Sequence, residues 1–148
     1  MEISLDHCAS EILEVVPAIM RSIRAEMRSR RAPELSVPQF RTLALLNRKE
    51  AASVSQVAEH LGLTLPSASK LVDDLVDAKL AKRAVDPADR RRVALALTAG
   101  GRSKLRTSHA FARKYLVKIL APLTVAERTR LLQTMRSIRP LFAVSSQR

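Results

Sequence analysis

Val54-Ser-Gln-Val-Ala-Glu-His-Leu-Gly-Leu-Thr-Leu-Pro-Ser-Ala-Ser-Lys-Leu-Val-Asp-Asp-Leu75 is the stretch whose reading decides the fold. Small Ala58 sits where two helices can cross. Four residues on, Gly62 can take the positive φ that a helix C-cap and a tight turn require. Thr64 is placed to cap a second helix, with Pro66 tolerated in its first turn. Val57, Leu61, Leu63, Ala68 and Leu71 form an apolar set that locks one helix on the other. The spacing predicts a helix-turn-helix over 55–79 whose second helix, about 65–79, buries Leu65, Ala68, Leu71, Val72 and Leu75. Pro66, Ser67, Ser69 and Lys70 are left near its N-terminus. From there side chains of a recognition helix reach base edges and phosphates in a major groove.

Downstream, Leu80–Val85 and Val93–Leu97 read as two strands around Asp86-Pro-Ala-Asp-Arg-Arg-Arg92. Val93, Leu95 and Leu97 alternate with alanines, as in a half-buried strand. A hairpin tip carrying Arg90, Arg91 and Arg92 directly after a reading helix suits a narrow minor groove, where negative potential concentrates. The wing therefore spans 80–98, and Thr98 caps a long helix to about Leu120.

Outward from this lobe the chain reads as helix. Residues 9–31 carry Ile12, Val15, Val16, Ile19, Met20, Ile23 and Met27 at steps of three and four, with Pro17 expected to kink or break the run. Arg21, Arg24, Arg28, Arg30 and Arg31 crowd its end, and Ala32-Pro33-Glu34 reads as a linker. Ser36-Val-Pro-Gln39 has capping-box spacing and opens a helix through Phe40, Leu43, Leu46 and Asn47. Ala121-Pro122 interrupts the long C-terminal helix, Thr124-x-x-Glu127 forms another capping box, and Pro140 should end or bend the last helix.

The 148 residues suit one mainly α domain, with Lys+Arg 26 against Asp+Glu 14 and a net charge of +12. Because the first twenty residues hold only acids, the rest of the chain is more positive still. Such a field steers the protein toward polyanions. Aromatics at 3% argue against partners read by base stacking. No apolar run approaches a membrane span, and the N-terminus lacks a secretory pattern, so a cytoplasmic protein is expected. One cysteine, Cys8, excludes a disulfide framework. His7, His60 and His109 are scattered, with no metal-ligand spacing, phosphate loop or nucleophile elbow, so neither cofactor, metal nor enzyme activity is expected. A sequence-indifferent nucleoid or architectural DNA-binding protein is the alternative that shares the charge.

Taken together, Asp86-Pro-Ala-Asp-Arg-Arg-Arg92, Val93-Ala-Leu-Ala-Leu-Thr98-Ala-Gly-Gly101 and Ser69-Lys-Leu-Val-Asp-Asp-Leu75 resemble the MarR family of winged helix-turn-helix transcription regulators. The resemblance implies a DNA-binding lobe over 36–100, and helices 9–31 and 102–145 that interlock two subunits into a homodimer. It implies that Arg91 enters the minor groove, that Asp89 shapes the wing, and that Ser67, Ser69 and Lys70 touch double-stranded DNA at a palindromic operator. Asp73 either pairs with the wing arginine and orients it or is an exposed helix charge. Many relatives bind small aromatic acids or other anions between dimer helices and DNA lobe; here Met20, Arg24, Met27, Phe40 and Leu43 are the candidates. The same residues also fit a plain core. The expected function is a repressor released by such a ligand. Some relatives sense oxidants through a cysteine in the first helix. Cys8 lacks the tyrosine pair those sensors use, since Tyr115 is the only tyrosine, and its acidic neighbours Asp6 and Glu11 disfavour a thiolate.

Overall fold

The computed structural model describes residues 3–30 and 35–143, and the expected linker 32–34, Arg31 and residues 144–145 lie outside them. Six helices and one antiparallel hairpin follow in the order α1 (Leu5–Ser29), α2 (Val37–Arg48), α3 (Val54–Leu61), α4 (Leu65–Asp77), β1 (Ala81–Val85), β2 (Val93–Leu97), α5 (Ala99–Leu120) and α6 (Val125–Ala143).

Local sequence signals set most of these boundaries. Ser36 and Gln39 exchange side-chain and backbone hydrogen bonds at the start of α2, and Ser53 and Gln56 do the same at α3. Each box satisfies two of the amides that a helix start leaves without partners. Gly62 closes α3 at φ 68°, and the Thr64 hydroxyl accepts from the Ser67 amide to open α4. At the start of α6, Glu127 accepts from the Thr124 amide at 2.8 Å.

Of the kink or break expected at Pro17 and the end or bend expected at Pro140, the break and the end do not occur. The helix α1 runs unbroken through Pro17, and α6 continues past Pro140 to Ala143. Proline leaves the carbonyl four residues back without its donor. At Pro17 that carbonyl belongs to Leu13, which is 74% exposed, so water can take the amide's place. The helix also starts earlier than its apolar period, because Ser4 caps it by accepting from the His7 amide.

A single core sits within the lobe formed by α2, α3, α4, the hairpin and the first turns of α5. Leu43, Val57, Ala68, Val72, Leu75 and Leu95 are essentially closed to solvent. Burying each large aliphatic side chain contributes about 1.5–3 kcal/mol before entropy is counted. The hairpin pairs Ala81 with Leu97 and Val85 with Val93. It also carries a third, one-residue bridge: the Leu95 amide donates to the Ala52 carbonyl at 2.7 Å, tying β2 to the segment ahead of α3. Val93 departs from the expected alternation. It is exposed while Ala94 is buried, because the outer end of the hairpin extends beyond the body that covers its base.

The helices at the two ends of the chain are different. No residue of α1 is buried, and α6 is exposed along nearly all its length. The helix α1 meets α5 through its last turns, where the Ser22 and Tyr115 hydroxyls share a hydrogen bond.

Candidate nucleic-acid interface and ligand cavity

The first turn of α4 and the outer face of the turn after it stand clear of the core that Ala68 joins. Pro66, Ser67 and Lys70 are exposed and Ser69 is half-buried. The Thr64 hydroxyl donates to Ser67 Oγ at 2.9 Å, which leaves the serine proton free for an outside acceptor. Lys70 reaches Asp74 at 3.6 Å along the helix, yet its side chain remains 80% exposed. Leu65 does not join the core; at 55% exposure it projects from the first turn, where α4 has passed the edge of the lobe. An apolar side chain there can meet a thymine methyl. Toward its other end α4 exposes Asp73, Asp74 and Asp77, which repel phosphate. The surface of the helix thus divides into a DNA-compatible start and an acidic end.

The hairpin loop is built by its two aspartates. Asp86 Oδ1 accepts from the Ala88 amide at 2.9 Å, and Asp89 Oδ1 accepts from the Arg91 amide at 3.0 Å. Backbone bonds from Asp86 to the Arg92 carbonyl and from Arg92 to the Asp89 carbonyl close the tip. Local side-chain bonds of this kind hold a turn without help from neighbouring elements. Arg90, Arg91 and Arg92 are all exposed, and among the described residues none makes an ion pair. Three guanidinium groups therefore sit on the stiffened tip of a hairpin whose first strand packs against α4.

Asp73 is not paired with Arg91. Its partner is Arg83 on β1, a residue the sequence reading left unassigned. Arg83 emerges from the first strand on the side facing α4, whereas Arg91 lies at the far end of the loop. Alternation along Ala81-Lys82-Arg83 carried the usable signal: Ala81 must point inward, and Arg83 lies two residues on.

The hairpin is clamped at its base. The Thr98 hydroxyl donates to the Lys79 carbonyl at 2.6 Å and accepts from the Gly101 amide at 2.9 Å. A Cβ on Gly101 would lie 1.9 Å from the Leu80 carbonyl oxygen, so only glycine allows α5 to start this close. Lys79 itself holds φ 60°, completing the end of α4 in the left-handed region without glycine.

A second feature lies between α1, the first turn of α2 and α5: a cavity of about 1170 Å³. Met20, Arg24, Met27 and Phe40 line it. Leu43 does not; it is wholly buried in the lobe core, one turn deeper along α2 than Phe40. Arg24 is braced by its Nε donating to the Met20 carbonyl at 3.2 Å. Sequence reasoning missed Ser108, on the inward face of α5. It is 0% exposed, it lines the cavity, and its Oγ has no hydrogen-bond partner. Leaving a buried hydroxyl unpaired costs about 1–3 kcal/mol. The signal available was a serine three residues after Leu105 and four before Ala112, interrupting an apolar stripe.

Cys8 is exposed, and no three His, Cys, Asp or Glu residues are grouped for a metal among the described residues. None of the described helices is long and apolar enough to cross a membrane.

Comparison with known proteins agrees with this geometry. A family model described as MarR family matches residues 34–92, the segment running from the start of α2 to the wing tip. An uncharacterized HTH-type transcriptional regulator of Bacillus subtilis, YfiV, is 34% identical over 73 residues, 49% of this chain. That match spans 46% of the relative, so the chain matches about half its length. The crystal structure of RV1404 from Mycobacterium tuberculosis superposes with a TM-score of 0.78 at 26% identity, covering 97% of both chains. Apo wild-type MarR from E. coli shares the fold at a TM-score of 0.67 and 18% identity, over 95% of this chain and 100% of that one. The Bacillus relative is named a transcriptional regulator, and these comparisons lend no support to a sequence-indifferent architectural protein.

Proposed function

We propose that the chain is a member of the MarR family, whose model matches residues 34–92, and that it represses transcription by binding a palindromic DNA operator as a homodimer. The observation that carries this reading is the exposed start of α4 together with a loop whose three arginines make no ion pair among the described residues and whose backbone is fixed by Asp86 and Asp89. Ser67, Ser69 and Lys70, with Pro66 and Leu65 beside them, meet the major groove. Arg90, Arg91 and Arg92 reach the neighbouring minor groove, where a narrow width concentrates negative potential. Asp89 shapes the wing, and Asp73 acts on it through Arg83.

Two such units related by a two-fold axis read half-sites about one helical turn apart, ~34–36 Å. Dimerisation joins α1, α5 and α6 of two copies. Ile12, Val16, Leu132, Met135 and Phe142 are apolar and exposed in one chain, and a partner would cover them. Occlusion of a promoter requires nothing beyond binding, which favours repression. The protein then works in the compartment that holds the chromosome, the cytoplasm. The cavity is the place for a releasing ligand, because its walls come both from the dimer helices and from the first turn of α2, which belongs to the DNA lobe.

Selection of bound fragments from random duplex DNA tests the proposal. The recovered site should be a near-palindrome bound roughly 10³-fold or more tightly than random sequence. Arg91→Ala should cost about 1–3 kcal/mol on that site and reduce the salt dependence by about one counterion. Recovery of no preferred sequence, or an unchanged salt slope in the variant, would remove the wing assignment.

A further inference from the structure

Three basic groups crowd the outer side of α2 and α3, where the chain turns toward α4. Arg41, in the second turn of α2, reaches across to α3, and its Nη2 donates to the His60 carbonyl at 3.2 Å. That carbonyl is among the last in α3, which a helix end leaves without an amide partner. The guanidinium thus caps α3 and is itself held in place. Arg48 lies on the same face of α2 about two turns further along, and its charge also acts on His60. Arg41 and Arg48 are exposed and His60 is half-buried, and none of the three makes an ion pair among the described residues. Glu59, beside His60 on α3, is exposed, and the first charged residue of α4 is Lys70, in its second turn.

Such a cluster is unfavourable for the protein alone. Desolvation, then the charge of Arg48 and that of Arg41, make it hard for His60 to take a proton. One anion would relieve all three groups, and their position says which anion. The Leu63 amide donates to the Ala58 carbonyl at 2.9 Å, closing a tight turn in which Gly62 holds φ 68°. The end of α3 therefore stands beside Thr64 and the exposed first turn of α4. In a helix-turn-helix the first helix crosses the DNA backbone while the second enters the major groove. Cations at this junction would meet a phosphate bordering the groove that α4 reads.

We propose that Arg41 and His60, backed by Arg48, hold one DNA backbone phosphate, and that His60 takes up a proton as they do so. The inference rests on the DNA-binding reading above but not on a preferred sequence, because a phosphate contact carries no base information. Its consequence is a DNA affinity set by pH. A phosphate that favours the proton on His60 is, by reciprocity, bound more tightly when that proton is present. Affinity therefore rises as pH falls toward and through 6.5, the range in which an ordinary histidine titrates.

Fluorescence anisotropy with the intact protein at about pH 6 and about pH 8, on the selected duplex and on a random duplex of equal length, tests this. Wild type should bind both about threefold to fivefold more tightly at the lower pH, the value of one close charge pair in a watery interface. That ratio should vanish in His60→Gln and persist in His7→Gln and His109→Gln. Arg41→Gln should lower the salt slope by about one counterion on both duplexes, and Arg41→Lys should restore it. Glutamine suits a helix at either position, so these variants should stay folded. A pH ratio that survives in His60→Gln, or a salt slope unchanged in Arg41→Gln, would overturn the inference while leaving α4 and the wing as the reading elements. The random duplex answers the question even where selection recovers no preferred site, so the two readings fail separately. Binding to neither duplex would overturn both.

Discussion

Asp73 on α4 and Arg83 on β1 form an ion pair that joins the reading helix to the wing. Both side chains are partly exposed, at 54% and 38%, so the pair adds little to stability. Its consequence is positional. It neutralises an acid close to where phosphates would lie, and it withholds Arg83 from them. Asp73→Asn frees Arg83 as an extra, unoriented cation. Binding to random duplex should strengthen and its salt slope should steepen by about one counterion. Affinity for the selected site should gain less, so the ratio of the two should fall. Anisotropy titrations on both duplexes across a salt series measure this, and a ratio that stays constant would show that the pair does not set the wing's position.

Gly100 and Gly101 are adjacent in sequence and opposite in tolerance. A Cβ on Gly101 would stand 1.9 Å from the Leu80 oxygen, a backbone atom that cannot swing aside. The same atom on Gly100 would find Lys79 O at 3.5 Å, an ordinary contact. Gly101→Ala should therefore destabilise the lobe by about 1–3 kcal/mol or more, the range for overpacking. Gly100→Ala should be neutral or stabilising by about 0.5–1 kcal/mol through helix propensity. Urea unfolding of the two variants in parallel gives the comparison, and similar midpoints would show that α5 can withdraw from the hairpin.

Much of this arrangement could be read from sequence, and the exceptions share a physical origin. Caps and turns depend on residues within four positions of one another, and a hairpin's pairing on the turn that joins its strands. Ser36 with Gln39, Gly62, Thr64, Thr98 and the Val85–Val93 register accordingly sit where local chemistry places them. What could not be read depends on which distant element covers a given face. Periodicity put Leu65 on the same face as Ala68 and Val72 but could not tell that the lobe ends before the first turn of α4. It placed Leu43 with Phe40, though one faces the core and the other the cavity. For Asp73 the sequence offers the wing arginine or solvent, and only the course of β1 brings Arg83 to it. Ser108 is invisible for the same reason, since an unpaired hydroxyl is defined by what fails to approach it.

His60, in the last turn of α3, introduces a pH dependence. Its pKa lies below the ordinary 6.5, first through desolvation and then through the charges of Arg48 and Arg41. The folded protein thus binds its proton less readily than the unfolded chain, and stability rises with pH across the window below 6.5. Above that value the group contributes nothing to the dependence. As pH falls through it toward the folded-state pKa, the unfolded chain gains the proton first and stability declines. His60→Gln should flatten this part of the stability profile. Melting temperatures taken at intervals across the window test it, and identical slopes for variant and wild type would assign the dependence to other groups.

The largest effect concerns α6. Its apolar residues Leu132, Met135, Leu141 and Phe142 are between 47% and 70% exposed in one chain, and the helix buries almost nothing against its own subunit. A helix of 19 residues in a folded protein draws most of its stability from a packed apolar face rather than from propensity. In the proposed dimer a second copy covers this face. Leu132→Asp places a charge in the contact that two copies would make, where desolvation without a partner is costly. Sedimentation should show wild-type dimer and variant monomer at micromolar concentration, and circular dichroism of the variant should lose helix corresponding to α6. The winged lobe has its own core around Leu43, Leu75 and Leu95 and should stay folded. DNA affinity should then fall to that of a single half-site, because the gain from tethering two binding units is lost. A variant that stays dimeric with full helicity would place the subunit contact elsewhere than α6.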